Sequence, residues 1–410
     1  MSTDTHWIER LGHKGDGIAA GPVFAARTLP GEVISGELVG GRIQHPRIET
    51  PSTDRVSPPC RHYKSCGGCS LQHARDSMVA EWKQSIVREA LAANGLHAPI
   101  RRIHTSPPES RRRATFSGRR TKSGGIVGFH GAQSDTIVTV PNCIVITKNL
   151  RDILPVLERL VVVGASRKGE VKLTVTDTAE GLDVSVTGGH AVTSDLRTDI
   201  SMAIRSAPIA RLTWNGELIL QNAQPVVAFD GISVPFPPGA FLQATQSGES
   251  ALRLAVGEAI GAGAHRVLDL FSGAGTFALP LARAAEVHAV EGEGDLITAL
   301  EAGWRHATGL KQVTTEVRDL FRRPLLPDEL ARYDAIVIDP PRAGAAAQIA
   351  EIARSEVPVV AHVSCNPVTF ARDAAVLVGA GYEMVWLDVV DQFRWSSHTE
   401  LISLFKINRS

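Results

Sequence analysis

Five cysteines in a chain of 410 residues offer two separate chemistries. Cys60, Cys66 and Cys69 form a C-x5-C-x2-C run, and the distant Cys143 completes a set of four. Four thiolates so grouped suit a metal site, and zinc and an iron–sulfur cluster accept the same ligands, so spacing leaves that choice open. Chance clustering of unreactive thiols is the alternative. The fifth, Cys365, stands in Ser364-Cys365-Asn366-Pro367. Pro367 suits the first position of a helix, which puts Cys365 at the helix head, where the dipole favours a thiolate. A free cysteine is also an ordinary small buried hydrophobe. The neighbours of Cys365 along the fold favour the nucleophile.

Those neighbours follow from the rhythm of the last third of the chain. Strand-like runs at 266–270, 286–290, 335–338, 357–363 and 384–390 alternate with helical segments. This pattern predicts an α/β fold with an open, mostly parallel sheet and helices on both faces. In such sheets ligands sit at the carboxyl ends of the strands. The first end opens the glycine-bearing turn Asp269-Leu270-Phe271-Ser272-Gly273-Ala274-Gly275-Thr276. Such a turn lets backbone approach a ligand, though its two glycines fall short of the three-glycine dinucleotide pattern. Glu291 ends the next strand about twenty positions on, placed to hold a ribose. Asp319 follows another short apolar run, with a helix cap as its alternative role. Asp339-Pro340-Pro341-Arg342 ends the fourth strand, and its prolines make a rigid loop suited to presenting a planar base. Near the carboxyl terminus, Asp391-Gln392-Phe393 leads to Glu400, immediately before a strand at 401–407, from which it can reach the same cleft.

Upstream, residues 1–55 read as short glycine-punctuated strands, consistent with a small OB-like barrel of a kind that often binds single-stranded nucleic acid. Residues 56–235 are mixed, with a helix expected at 77–94 and an antiparallel pair at 170–176 and 181–187. Residues 236–410 form the α/β unit. Net charge is zero. Between 101 and 122, however, Arg101, Arg102, Arg111, Arg112, Arg113, Arg119, Arg120 and Lys122 face only Glu109, which reads as a nucleic-acid patch or as a solvated charged face. No apolar run approaches the roughly 20 residues of a membrane span. The polar opening residues give no expectation of a secretory signal, and an odd cysteine count argues against a disulfide framework. A cytoplasmic protein without membrane association is the expectation.

Together these motifs resemble the bacterial RNA uracil-C5 (5-methyluridine) methyltransferases, in the branch that carries an iron–sulfur cluster and acts on 23S ribosomal RNA. The resemblance covers nearly the whole chain. It implies a Rossmann-like class I methyltransferase domain, preceded by an OB-like TRAM barrel and a mixed α+β iron–sulfur and RNA-binding domain. The barrel likeness rests on Gly15-Asp16-Gly17-Ile18-Ala19 and Leu29-Pro30-Gly31-Glu32. By resemblance Cys60, Cys66, Cys69 and Cys143 hold a [4Fe–4S] cluster. Arg111-Arg112-Arg113 with Gly128-Phe129-His130 forms the central RNA-binding stretch. Gln243, in Phe241-Leu242-Gln243, joins Phe271, Thr276, Glu291, Asp319 and Asp339 around S-adenosylmethionine. Cys365 is the nucleophile and Glu400 the general base.

The implied function is 5-methyluridine formation in 23S rRNA through a covalent Cys365–uracil intermediate, with RNA as partner and no obligate protein partner evident. The chain departs from the family pattern at Thr245, where Asn is common, and at Arg394-Trp395-Ser396, where Pro-His-Thr is usual. The alternatives are the same reaction on tRNA and a catalytically inactive ribosome assembly factor. A base or glutamine amino-group methyltransferase is disfavoured, since Arg342 stands where such enzymes place an aromatic. A radical enzyme is disfavoured because four cysteines close a cluster that radical chemistry leaves open at one iron.

Overall fold

The computed structural model describes residues 5–407; residues 1–4 and 408–410, the outer ends of the first and third expected domains, lie outside the described residues. Strands Thr5–Leu11, Gly17–Ala19, Val23–Ala25, Val33–Val39 and Arg42–Thr50 close into a barrel, with the last two exchanged in spatial order. Its core is small: Ile8, Ala19, Val23, Ala25, Ile34 and Ile43. Gly17 is required there, because a Cβ would stand 2.1 Å from Thr28 Oγ1. Glu32 secures the barrel to the following linker. Its buried carboxylate accepts from the Leu29 and Ser52 amides at 2.8 and 3.2 Å and pairs with Arg55.

A seven-stranded sheet follows, in the order Glu217–Gln221, Ile209–Trp214, Gly181–Thr187, Val171–Thr178, Arg113–Arg120, Gly125–His130, Ile137–Val138. The antiparallel pair expected at 170–187 is present, with Lys172 opposite Thr187 and Thr178 opposite Gly181. Helix Leu154–Gly164 covers one face with Leu157, Leu160 and Val161.

The third sheet has eight strands: Val313–Val317, Glu286–Glu291, Arg266–Leu270, Ala335–Ile338, Val359–Ser364, Glu400–Ile407, Tyr382–Asp391 and Ile100–Thr105. The first five run parallel, and Glu400–Ile407 pairs antiparallel with both neighbours. Near-continuous apolar strands such as Ala335–Ile338, buried at every position, allow helices to pack on both faces. Two buried clusters do so, one around Leu252, Val267 and Val337 and the other around Leu268, Ile336 and Phe370.

This sheet recruits from before residue 236. Strand Ile100–Thr105 pairs parallel with Tyr382–Asp391, and helix Asp76–Ala92 buries Val87 and Leu91 in the same core. The hairpin Val226–Phe229 and Ile232–Pro235 adds Val227, Phe229, Ile232 and Val234 to the other face. Pieces of the expected middle domain thus complete the last sheet. Among the described residues no helix is long and apolar enough to cross a membrane.

Candidate active site and cysteine cavity

Cys365 follows strand Val359–Ser364 and is separated from helix Pro367–Gly379 by Asn366 alone. Asn366 caps that helix: its Oδ1 accepts from the Val368 amide at 3.1 Å, and its Nδ2 donates to the Arg342 carbonyl at 3.0 Å. The nucleophile's turn is therefore tied to the rigid Pro340-Pro341-Arg342 loop. Its surroundings oppose the thiolate that the helix head favours. Burial, with the Glu400 and Asp339 carboxyl groups adding to it, pushes the Cys365 thiol up to about 11, against the Arg342 guanidinium. Desolvation and two nearby carboxyl groups outweigh a helix head worth about 1 kcal/mol.

Glu400 begins its strand inside the same cleft and is 4% exposed. Gln392 Nε2 donates to its Oε2 and, at 2.5 Å, to Gln243 Oε1. Gln392 Oε1 accepts from the Thr245 amide at 3.3 Å, so backbone fixes which way the Gln392 amide points. A long 3.5 Å contact joins Gln243 Nε2 to Asp339 Oδ2. Burial first, then the Asp339 charge, push Glu400 up to about 8, while the Gln392 bond and Lys83 pull the other way. Burial pushes Asp339 up to about 7. Cys365, Glu400, Asp339 and Gln243 thus share one cleft, and Gln392 links two of them.

The other expected cofactor residues surround the glycine-bearing turn. Glu291 accepts the amides of Gly273 at 3.0 Å, Gly292 at 2.6 Å and Glu293 at 3.1 Å, which fixes the turn to the adjacent strand end. Phe271 sits in the left-handed region at φ 59°, its ring 5.4 Å from that of Phe321. A non-glycine residue held there is unusual and frequent at ligand sites. Thr276 follows Gly275 in the turn, half-buried. Asp319 is exposed, and its Oδ1 accepts from the amides of Phe321 at 3.0 Å and Arg322 at 3.3 Å, so the capping role is the one visible here.

Lys83, Gln392, Arg342 and Asp269 were not assigned roles from sequence. Asp269 opens the glycine turn and is wholly buried. That burial holds its carboxyl group well above the usual range, with Asp339 adding to it.

Cys60, Cys66, Cys69 and Cys143 line one cavity of about 240 Å³ together with Tyr63, Arg111 and Phe129. Burial, and then the other three thiols against a Gln72 hydrogen bond, push Cys69 up to about 12. Among the described residues no three His, Cys, Asp or Glu side chains form a ready site for a single metal ion.

Half of the basic run 101–122 is engaged in ion pairs, while Arg101, Arg102 and Lys122 remain exposed. Arg101 and Arg102 pair with Asp388 and Glu258, Arg112 pairs with the buried Glu249, and Arg113 Nη2 donates to the Gly239 carbonyl at 3.0 Å. Arg111 lies over the Phe393 ring at 5.5 Å, and Arg119 pairs with Glu170 at 3.0 Å. Four of these arginines thus find acidic partners that are distant in sequence and that local charge counting does not see.

A family model described as tRNA (Uracil-5-)-methyltransferase matches residues 236–407. An uncharacterized RNA methyltransferase of Rhizobium meliloti is 42% identical over 412 residues, covering 98% of this chain and 99% of that protein. One from Caulobacter vibrioides is 44% identical, covering 97% and 98%. The 23S rRNA (uracil(1939)-C(5))-methyltransferase RlmD of Chromohalobacter salexigens is 33% identical, covering 97% of this chain and 88% of its own length. The crystal structure of Pyrococcus abyssi tRNA (uracil-54, C5)-methyltransferase in complex with S-adenosyl-L-homocysteine shares the fold, with a TM-score of 0.77 at 20% identity over 98% of this chain and 99% of that one. With a glycine turn, an acidic strand end, a helix-head cysteine and a buried glutamate in one cleft, and identity to relatives along nearly its whole length, the chain belongs to the RNA uracil-5-methyltransferase family and is an RNA methyltransferase.

Proposed function

We propose that this enzyme forms 5-methyluridine in large-subunit ribosomal RNA, with Cys365 as covalent nucleophile and Glu400 as general base. The observation that carries the reading is the shared cleft of Cys365, Glu400, Asp339 and Gln243. The choice of 23S rRNA follows the RlmD relative. Work on ribosomal RNA assigns the protein to the cytoplasm.

Carbon 5 of uracil is a weak nucleophile. Once Cys365 has lost its thiol proton to solvent, addition of the thiolate to carbon 6 forms a C–S bond and shifts the ring's double-bond electrons toward the carbon 4 oxygen, giving an enolate whose carbon 5 is nucleophilic. We assign S-adenosylmethionine to Gln243, Phe271, Thr276, Glu291, Asp319 and Asp339; Glu291 and Asp339 stand at the carboxyl ends of parallel strands of one sheet, where such folds bind nucleotides. When bound, that cofactor supplies an electrophilic methyl group on a sulfonium. Once carbon 5 carries both methyl and hydrogen, Glu400 removes the proton. The electrons re-form the carbon 5–carbon 6 double bond, and the Cys365 sulfur leaves as thiolate. A glutamate poised near 8 is well matched to that proton. The target base must leave its stack to reach Cys365.

The four-cysteine cavity fits a [4Fe–4S] cluster held by Cys60, Cys66, Cys69 and Cys143. One zinc ion needs all four sulfurs about 2.3 Å from a common centre, whereas a cavity of about 240 Å³ leaves room for a larger body. Methyl transfer needs no electrons, so the cluster's contribution is to cross-link the 60–143 segment. The small barrel offers an RNA-docking surface.

The test is to incubate anaerobically purified enzyme with S-adenosylmethionine and either unmodified large-subunit rRNA or tRNA, then analyse digested nucleosides by mass spectrometry. A 5-methyluridine peak with rRNA alone supports the reading. A peak with tRNA alone overturns the substrate, and a different methylated nucleoside overturns the reaction.

A further inference from the structure

Glu400 closes a loop that leaves strand Tyr382–Asp391 and returns into strand Glu400–Ile407. Bonds within the loop give it a local shape, with the Phe393 amide donating to Asp391 Oδ1 at 3.1 Å, the Ser396 amide to the Phe393 carbonyl at 3.0 Å and the His398 amide to Ser396 Oγ at 3.3 Å, but they do not anchor it against the rest of the cleft. The anchor lies on helix Asp76–Ala92. Lys83 projects from that helix with a side chain that is wholly buried. An ammonium has three hydrogens, and each finds an acceptor on the loop: Asp391 Oδ1 at 2.5 Å, the Phe393 carbonyl at 3.2 Å and the His398 carbonyl at 2.8 Å. The bonds grip the loop where it leaves one strand and two residues before Glu400.

Asp76 stands seven positions earlier, two turns away on the same face of the helix. Its carboxylate pairs with Arg394 and accepts from Trp395 Nε1 at 3.2 Å. The Trp395 carbonyl in turn accepts from the Ser70 and Leu71 amides at 2.7 and 3.0 Å, directly after Cys69. Arg394 and Trp395 both take part in this grip.

We propose that helix Asp76–Ala92 is the clamp that positions the general base, with Lys83 and Asp76 as positioning residues acting through the 391–400 loop. This rests on the reading of Glu400 as the base. Neither residue touches the reacting atoms. Their effect is to hold the Glu400 carboxylate and its Gln392 partner at a constant distance from the Cys365 turn.

The experiment compares Asp76→Ala, Lys83→Met and the paired Lys83→Met/Asp391→Leu with the wild type and Glu400→Gln, using the full chain and its RNA substrate. The paired variant removes both buried charges together, and Asp76 is half-exposed, so the fold does not depend on one risky change. Readouts are kcat, the KM for RNA, and protein–RNA adduct that survives denaturing electrophoresis. A displaced base slows elimination, so kcat falls on the order of 100-fold in the Lys83 variants and less in Asp76→Ala. KM for RNA falls together with kcat, because elimination becomes limiting, and adduct accumulates, as in Glu400→Gln. A folded Lys83 or Asp76 variant with wild-type kcat and no adduct overturns the clamp, as does a loss confined to KM. If Glu400→Gln itself turns over normally without adduct, the base assignment falls, and the clamp with it.

Discussion

Cys365 should be an unreactive thiol until substrate arrives, and the structure gives the size of the effect. Its pKa is raised from the ordinary 9.0 to about 11 by burial and by the Glu400 and Asp339 carboxyl groups. At pH 8 about one thiol in a thousand is then ionised, against about one in ten for an unperturbed cysteine. A more basic thiolate is also a better nucleophile, which returns roughly a factor of ten, leaving alkylation about tenfold slower than for a free thiol. The pH profile separates ionisation from simple shielding. In the enzyme without ligands, the rate of Cys365 labelling by iodoacetamide, followed by quench and peptide mass spectrometry, should rise about tenfold per pH unit through pH 9.5 without levelling. Glu400→Gln removes a neighbouring negative charge and should shift the profile to lower pH. A plateau at or below pH 8.5 in the wild type would refute the reasoning, because it would mean that the helix head governs the thiol and the carboxyl groups do not.

Three further outcomes follow from the same geometry. Glu400 is raised from its ordinary 4.5 to about 8 by burial, so the folded state holds a proton that the unfolded chain has released. Its contribution to stability is complete below pH 4.5 and is lost as pH climbs through 8; the Tm of the ligand-free enzyme should follow this trend, and Glu400→Gln should flatten it. Gln392→Leu removes the donor shared by Glu400 and Gln243, at a cost of about 1–3 kcal/mol in stability, and calorimetry should show S-adenosylhomocysteine binding about tenfold more weakly. Cys143→Ser should lower the iron and acid-labile sulfide bound per chain; undiminished iron and sulfide in that variant would remove Cys143 from the ligand set.

The parts of the site that lie at strand ends were legible because periodicity is a local signal. The run at 335–338 is an observed strand with the same bounds, and Asp339, Glu291 and Cys365 stand where a doubly wound sheet gathers its ligands. What sequence did not reveal depends on partners far along the chain. Lys83 and Asp391 are 308 positions apart, so a lysine in a helical segment reads as surface until the loop closes over it. The ion pairs of Arg101 and Arg102 with Asp388 and Glu258 are invisible to a local charge count, and Ile100–Thr105 finds its sheet partner only at Tyr382–Asp391. What opposes a Cys365 thiolate is equally non-local: the helix head is a local feature, while the burial of the thiol and the Glu400 and Asp339 carboxyl groups come from other strands. Gln392 was visible in its motif, but its role depends on an orientation set by the Thr245 amide.

The most direct test of the central claim uses RNA carrying tritium at carbon 5 of uridine. Methylation at that carbon through Cys365 must expel the carbon 5 hydrogen, so tritium should appear in water in a one-to-one ratio with methyl groups incorporated from S-adenosylmethionine, and Cys365→Ala should abolish both. Methyl incorporation without tritium release, or release and methylation that persist in Cys365→Ala, would contradict the account.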